Sequence, residues 1–267
     1  MRFFRYFVMI ILVIFAIIPF YVLFMTALSG SPSGGEGVLI REFHWSNFSK
    51  AWELSNMSQA LFNSIAITFC AIFVSVLFSS SASFAIVRVP TTLHKIVFFA
   101  FIFSMLVPAI INIVPLYTLM RQIHGINTIW AMSLLLATTA LPLSIFVYSN
   151  FIRGLSKEIE EAAIIDGCSL FTAFWRVTFP LLRPVTATVI ILTAVPAWNN
   201  YTQSVFFLQD RSMQTIPLAI SSFFTTYGAD WSMMAAASVI GMLPTVLVFL
   251  FLQRSFIKGM TAGAVKG

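Results

Sequence analysis

Charge is what this sequence has least of: Asp, Glu, Lys and Arg make up 9% of its 267 residues, against 59% hydrophobic ones. A chain this poor in charge, with a mean hydropathy of +0.95, cannot cover itself with water-compatible surface and reads as an integral membrane protein. The sequence has no G-x-x-x-x-G-K-[ST] run, so it lacks a phosphate-cradling loop and is not expected to hydrolyse ATP. Its three histidines, His44, His94 and His124, are scattered without ligand spacing or a neighbouring acid, so neither a metal site nor a catalytic base is expected. Cys70 falls in an apolar run and Cys168 in a polar one, a placement unsuited to a disulfide. A membrane-embedded enzyme needs a polar constellation near one interface, and none is visible.

What remains is length without charge. Six stretches, 6–28, 60–87, 96–120, 127–152, 184–208 and 231–253, contain no Asp, Glu, Lys or Arg. Each meets the roughly twenty residues that a helix needs to cross a bilayer. They predict an all-α fold of six spans in one bundle, a single transmembrane domain over residues 1–267. Ionisable groups inside spans mark proton- or ion-driven carriers, so their absence disfavours a secondary transporter. With the N-terminus inside, Arg2, Arg5, Arg88, Lys95, Arg153, Lys157, Arg176, Arg183, Arg254, Lys258 and Lys266 are cytoplasmic, and Arg41, Lys50, Arg121 and Arg211 lie outside. That bias fixes both termini as cytoplasmic and accounts for the +6 net charge without nucleic acid.

Two stretches bear on this count. Arg2 and Arg5 ahead of an apolar run that ends in Ala27-Leu28-Ser29-Gly30 resemble a cleavable leader, but the run is long for one and a retained span is expected. Residues 212–229 are uncharged yet interrupted by Pro217 and rich in Ser and Thr, which predicts an extracytoplasmic loop with a short interfacial or re-entrant helix.

Between the fourth and fifth stretches lies a polar island, LSKEIEEAAIIDGCSLFTAFWRVTFPLLRP, at 155–184, within a cytoplasmic loop of 153–184. Ser156 is a candidate N-cap, and Glu158, Glu160 and Glu161 put negative charge where the helix dipole favours it, predicting a short helix over about 156–166. Leu155, Ile159, Ala162, Ala163 and Asp166 share a face at helical spacing, shallow enough at the two alanines for another surface to approach. Gly167 is the expected left-handed terminator. Ser169 then caps a second helix carrying Phe171, Phe174 and Trp175, which Pro180 and Pro184 are expected to stop.

Glu161-Ala162-Ala163, three residues, Gly167, nine residues and Val177-Thr178-Phe179-Pro180 together resemble the EAA docking loop of bacterial ABC-importer permeases. Asn63-Ser64, Arg88, Gly125-Ile126-Asn127-Thr128, Trp198-Asn199, Thr215-Ile216-Pro217-Leu218, Pro244 and the tail 253–267 are similar to the carbohydrate-type permeases of the maltose-transporter class, in particular the shorter, second permease subunit. The resemblance implies an inner-membrane, sugar-importing subunit that pairs with a second, non-identical permease, two ATPase subunits and an extracytoplasmic solute-binding protein. It also implies that ATP and Mg are bound by the partner ATPases, with no cofactor in this chain. On it, Glu161, Ala162, Ala163, Asp166, Gly167, Cys168 and Ser169 form the ATPase-docking site, and the tail residues Thr261, Gly263, Lys266 and Gly267 reach the ATPases. A permease for peptides, amino acids or other solutes shares the loop and is the alternative.

Within the fifth stretch Pro196, Asn199, Asn200 and Gln203 recur at i, i+3, i+4 and i+7, a polar stripe on a helix. Amides at Asn199, Asn200 and Gln203 suit a sugar pathway, where they replace water's hydrogen bonds to hydroxyls, and equally suit bonds to neighbouring helices. Ser79, Ser80, Ser81 and Ser83, and Ala237 with Gly241, read as close helix packing.

Overall fold

A computed structural model describes residues 2–31, 42–89, 91–225 and 228–264. The elements in chain order are α1 (Arg2–Leu28), α2 (Ser46–Leu54), α3 (Met57–Arg88), α4 (Thr92–Ser104), α5 (Ile113–Gln122), α6 (Ile129–Arg153), α7 (Glu158–Ile165), α8 (Leu170–Ala173), α9 (Phe179–Leu181), α10 (Arg183–Trp198), α11 (Thr202–Phe207), α12 (Ile216–Ser221), the strand pair β1 (Phe224–Thr225) and β2 (Gly228–Ala229), and α13 (Trp231–Ala264). By contacts the chain divides into two compact units, Met1–Phe62 with Gln214–Leu250, and Asn63–Met213 with Phe251–Gly267.

Among the described residues three helices are long and apolar enough to cross a bilayer: Phe4–Leu28, Met57–Arg88 and Ile129–Arg153. Two further candidates are bent pairs, Thr92–Ser104 with Ala109–Gln122 at 100°, and Leu170–Leu181 with Arg183–Trp198 at 79°. The expected straight helix over 96–120 is therefore corrected to a bent pair. The cause is Pro108, which lacks an N–H and biases Val107 away from helical angles, so α4 ends at Ser104 and a 3₁₀ turn over Ala109–Asn112 leads into α5. The expected run 184–208 is likewise two helices, α10 and α11, parted at Asn199–Tyr201.

In the first unit, α1 ends against α2, which the sequence reading did not anticipate. Asn47 on α2 donates from Nδ2 to the carbonyls of Ala27 (3.0 Å) and Ser29 (2.9 Å), satisfying orphan groups at the end of α1. The loop at 212–229 contains the short helix foreseen there, α12, followed by a two-stranded antiparallel ribbon that pairs Phe224 with Ala229. The ribbon corrects the all-α expectation in one small place. A Cβ on Gly241 would lie 2.5 Å from Ile216 Cγ2, so α12 meets α13 at a spacing only glycine permits.

In the second unit, α6 packs against α10 and α4. Its core joins Phe84, Tyr148, Ile152, Phe174, Leu182, Val185 and Val189. Hydroxyls tie the same helices together: Ser75 Oγ lies 3.3 Å from Ser144 Oγ, Thr193 donates to Ser75 at 3.3 Å, Ser83 donates to the Ile145 carbonyl at 3.0 Å, and Tyr148 donates to Thr186 at 2.9 Å. Of the serines expected to serve helix packing, Ser83 alone bonds to another helix, whereas Ser79, Ser80 and Ser81 donate to carbonyls of α3 itself, Ser79 to Ser75 and the other two to Leu77. Asn127, at φ 58°, clamps a distant loop: its N–H donates to the Phe207 carbonyl (2.8 Å), and its Oδ1 accepts from the N–H groups of Gln209 (2.6 Å) and Asp210 (3.0 Å).

Candidate docking site

The polar island folds as two short helical arms around a glycine. Glu158, Glu160 and Glu161 occupy the first turn of α7, where the dipole favours them. The helix starts at Glu158, later than expected, because Ser156 accepts the Glu158 N–H (3.3 Å) in a tight turn and does not cap a longer helix. It ends at Gly167, whose φ is +89°. The Gly167 N–H donates to the Ile164 carbonyl (3.0 Å) and the Cys168 N–H to the Ala163 carbonyl (2.9 Å), the paired bonds of a Schellman ending. Ser169 caps the second arm, accepting the Thr172 N–H at 3.2 Å.

The second arm departs from expectation. Pro180 does not stop it. α8 passes into a π-helical segment, Phe174–Thr178, and then into α9, with Pro180 in its first turn. The wider turn accommodates a residue without an N–H, and such segments are where helices absorb a proline. The insertion turns Phe174 into the core, 3% exposed and 4.9 Å from the Phe84 ring, while Phe171 stays 74% exposed.

What locks the first arm is a residue pair the sequence reading did not join. Arg88, at the end of α3, donates from Nε to Glu160 Oε2 (2.6 Å) and from Nη2 to Glu160 Oε1 (3.0 Å) and the Leu155 carbonyl (3.1 Å). Thr178 on the second arm donates to Glu160 Oε1 at 3.2 Å. Both charged side chains are nearly removed from solvent, at 6% and 9% exposure. A bidentate guanidinium–carboxylate pair of this kind fixes orientation, and loss of one partner strands the other. The one available signal was that Glu160 and Ala163 stand at i, i+3 on a face of α7 different from that of Ala162 and Asp166.

The expected shallow face is therefore split. Ala163 is buried against the unit, whereas Glu161, Ala162, Asp166, Gly167 and Ser169 are exposed and Cys168 is half-buried. Ile165, 85% exposed, joins the outward face and was not singled out from sequence.

The other sequence candidates do not join this site. Asn199 is exposed just beyond α10, donating from Nδ2 to the Val195 carbonyl (2.9 Å). Asn200 accepts at Oδ1 from the N–H groups of Gln203 (3.0 Å) and Ser204 (3.3 Å), capping α11, and Gln203 is buried. The continuous helical stripe is thus corrected to a capped break, because the Asn200 side chain takes the bonds a running helix would have made. In the tail, Thr261 and Gly263 fall within α13, which stays helical to Ala264. Pro244 is the last proline before it, and nothing after it denies the backbone its bonds. Lys266 and Gly267 lie outside the described residues.

Two short helical arms thus meet at Gly167 and are held by Arg88 to the end of a membrane-length helix, the arrangement of a membrane protein with an ordered polar loop between its spans. Residues 75–262 match the binding-protein-dependent transport system inner membrane component family, and the chain belongs to that family. It is similar to the melibiose/raffinose/stachyose import permease protein MelC of Bacillus subtilis (strain 168), at 38% identity over 94% of this chain and 91% of that one. It is also similar to the diacetylchitobiose uptake system permease protein DasC of Streptomyces coelicolor (strain ATCC BAA-471 / A3(2) / M145), at 29% identity over 97% and 95%. A chain from the crystal structure of a bacterial ABC transporter involved in the import of the acidic polysaccharide alginate shares the fold, with a TM-score of 0.79 at 19% identity over 95% of this chain and 96% of that one. The protein is a multi-pass membrane permease subunit, not an enzyme.

Proposed function

We propose that this chain is the membrane subunit of an ATP-driven, binding-protein-dependent importer of sugars or oligosaccharides, and that α7 with its Schellman ending is the handle by which partner ATPases move it. The observation that carries the reading is the outward face Glu161, Ala162, Ile165 and Asp166 on a helix whose opposite face is pinned by Arg88 and Glu160. A handle transmits motion only if it does not swivel, and the buried pair together with Phe174 in the core holds both arms to α3 and α6. Closure of two ATPases would draw paired handles together and rock the spans between inward-open and outward-open states.

The partners in this reading are a second, non-identical permease, two ATPases carrying ATP and Mg, and an extracytoplasmic solute-binding protein. The chain crosses the membrane six times with both termini cytoplasmic, α4–α5 and α10–α11 being interrupted spans. The helix α10 has 16 residues, or about 24 Å, short of the roughly 30 Å hydrocarbon core. The break at Asn199–Tyr201 then lies at membrane depth, where non-helical backbone is tolerated only against protein or a water-filled cavity. Asn199, exposed at that break, is the amide best suited to meet solute hydroxyls, while Asn200 and Gln203 shape the turn. Thr261 and Gly263, in the last turns of α13, lie on the part of the chain that reaches the ATPases in this reading, with Lys266 and Gly267 after them in sequence.

The test is growth and labelled-solute uptake in cells lacking this gene and its relatives. Restored uptake of an α-galactoside or another oligosaccharide, dependent on the partner ATPase, supports the reading. Uptake of peptides or amino acids with no sugar transport would replace it with the non-sugar alternative.

A further inference from the structure

Arg88 also lines an open cleft of about 520 Å³ formed by the end of α3, the start of α4, the end of α6 and the approach to α7. Lys95, Arg153 and Lys157 complete its basic rim, with Phe98 and Phe99 as an aromatic wall. The charge of Arg88 is answered by Glu160, but among the described residues no carboxylate lies within ion-pair distance of Lys95, Arg153 or Lys157. The Arg153 guanidinium sits 5.0 Å above the Phe98 ring, which holds it without neutralising it. Three exposed like charges around one concavity raise the local positive potential and favour an anion among them.

The apolar surroundings identify that anion. Phe99 is 56% exposed, and Leu93 and Ile96 on the same helix are 66% and 61% exposed, so the cleft opens beside an exposed apolar surface. A free anion has no use for that surface, whereas a phospholipid needs both a cationic seat for its phosphate and an apolar wall for its chains. Basic pockets between membrane helices on the cytoplasmic side suit anionic headgroups for this reason.

We propose that this cleft binds the headgroup phosphate of an anionic phospholipid of the phosphatidylglycerol class between Lys95, Arg153 and Lys157, with an acyl chain along the exposed face of α4. Lys157 immediately precedes α7, and Arg88 in the same cleft holds Glu160. The headgroup therefore ties the root of the docking arm to the membrane.

The test uses the complete transporter, purified with its partner subunits and incubated with an equimolar mixture of phosphatidylglycerol and phosphatidylcholine, with retained lipid counted by native mass spectrometry. Phosphatidylglycerol should be retained preferentially. Replacing a basic residue at a membrane surface costs about fivefold in lipid affinity, so Lys95→Gln with Lys157→Gln should lower retention by about 25-fold. Lys95→Arg with Lys157→Arg should keep it. Co-purification of the ATPases certifies assembly, and if the double variant fails that check, Lys95→Gln alone, outside the docking loop, should still lose about fivefold. Equal retention of both lipids by the unaltered complex, retention unaffected by the glutamine variants, or displacement of the lipid by millimolar inorganic phosphate would overturn the proposal.

Discussion

The docking arm and the α10–α11 break are both polar interruptions of an apolar chain, yet one could be foreseen from local residues and the other could not. At the arm, Gly167 and Ser169 act within four residues of themselves, the glycine through its own φ of +89° and the serine through the Thr172 N–H. At the break, the spacing of Pro196, Asn199, Asn200 and Gln203 fits an unbroken helix, and only the side-chain bonds of Asn200 to Gln203 and Ser204 reveal a new helix start. Periodicity describes an element that exists. It does not say where a polar side chain will outbid the backbone for its own hydrogen bonds.

The largest expected effect falls on the part of the arm that local reasoning did not reach. Arg88→Ala leaves Glu160 buried without its counter-charge, a change worth about 3–5 kcal/mol, and should abolish uptake and release the ATPases on purification. Arg88→Gln combined with Glu160→Gln removes both charges and should recover assembly in part. If the double variant is as damaged as the sum of its single variants, the pair is not coupled as described.

Next comes the hinge. No atom lies within 4 Å of a Cβ placed on Gly167, so a side chain there meets only backbone strain. Gly167→Val should weaken docking by about 1–2 kcal/mol, and Gly167→Asn, which tolerates the left-handed region, should be much milder. Equal losses of ATPase binding in the two variants would show that space, not conformation, governs this position.

The smallest effects are expected at the break, where they separate its two amides. Asn200→Ala removes a cap worth about 1 kcal/mol and should lower the thermal stability of the complex. Asn199→Leu should leave stability intact and change the sugar selectivity of uptake. The reverse outcome would make Asn199 the structural residue and Asn200 the one facing solute.

Most of the membrane-length helices were legible because uninterrupted apolar length is a property of the sequence itself: α3 runs Met57–Arg88 where residues 60–87 lack charge, and α6 runs Ile129–Arg153 where 127–152 do. The bend between α4 and α5 was signalled by Pro108 but hidden by hydropathy, which ignores the missing N–H. The π segment at Phe174–Thr178 had its signal in Pro180, read as a stop when the chain widens its turn instead. The Arg88–Glu160 pair joins residues 72 apart, and local spacing sets Glu160 on the face of Ala163 without saying that this face turns inward. Ala163 turns inward because it follows Glu160 by one helical turn, a consequence of that same distant contact.

In the proposed function the outward face of α7 meets an ATPase while Arg88 and Glu160 hold its inward face to α3. A photo-crosslinking residue at Ile165, 85% exposed, should give an adduct with the partner ATPase in the assembled transporter. The same residue at Leu143, an exposed position on the apolar part of α6, should give none. An ATPase adduct that forms at Leu143 and is missing at Ile165 would contradict the assignment of α7 as the docking handle.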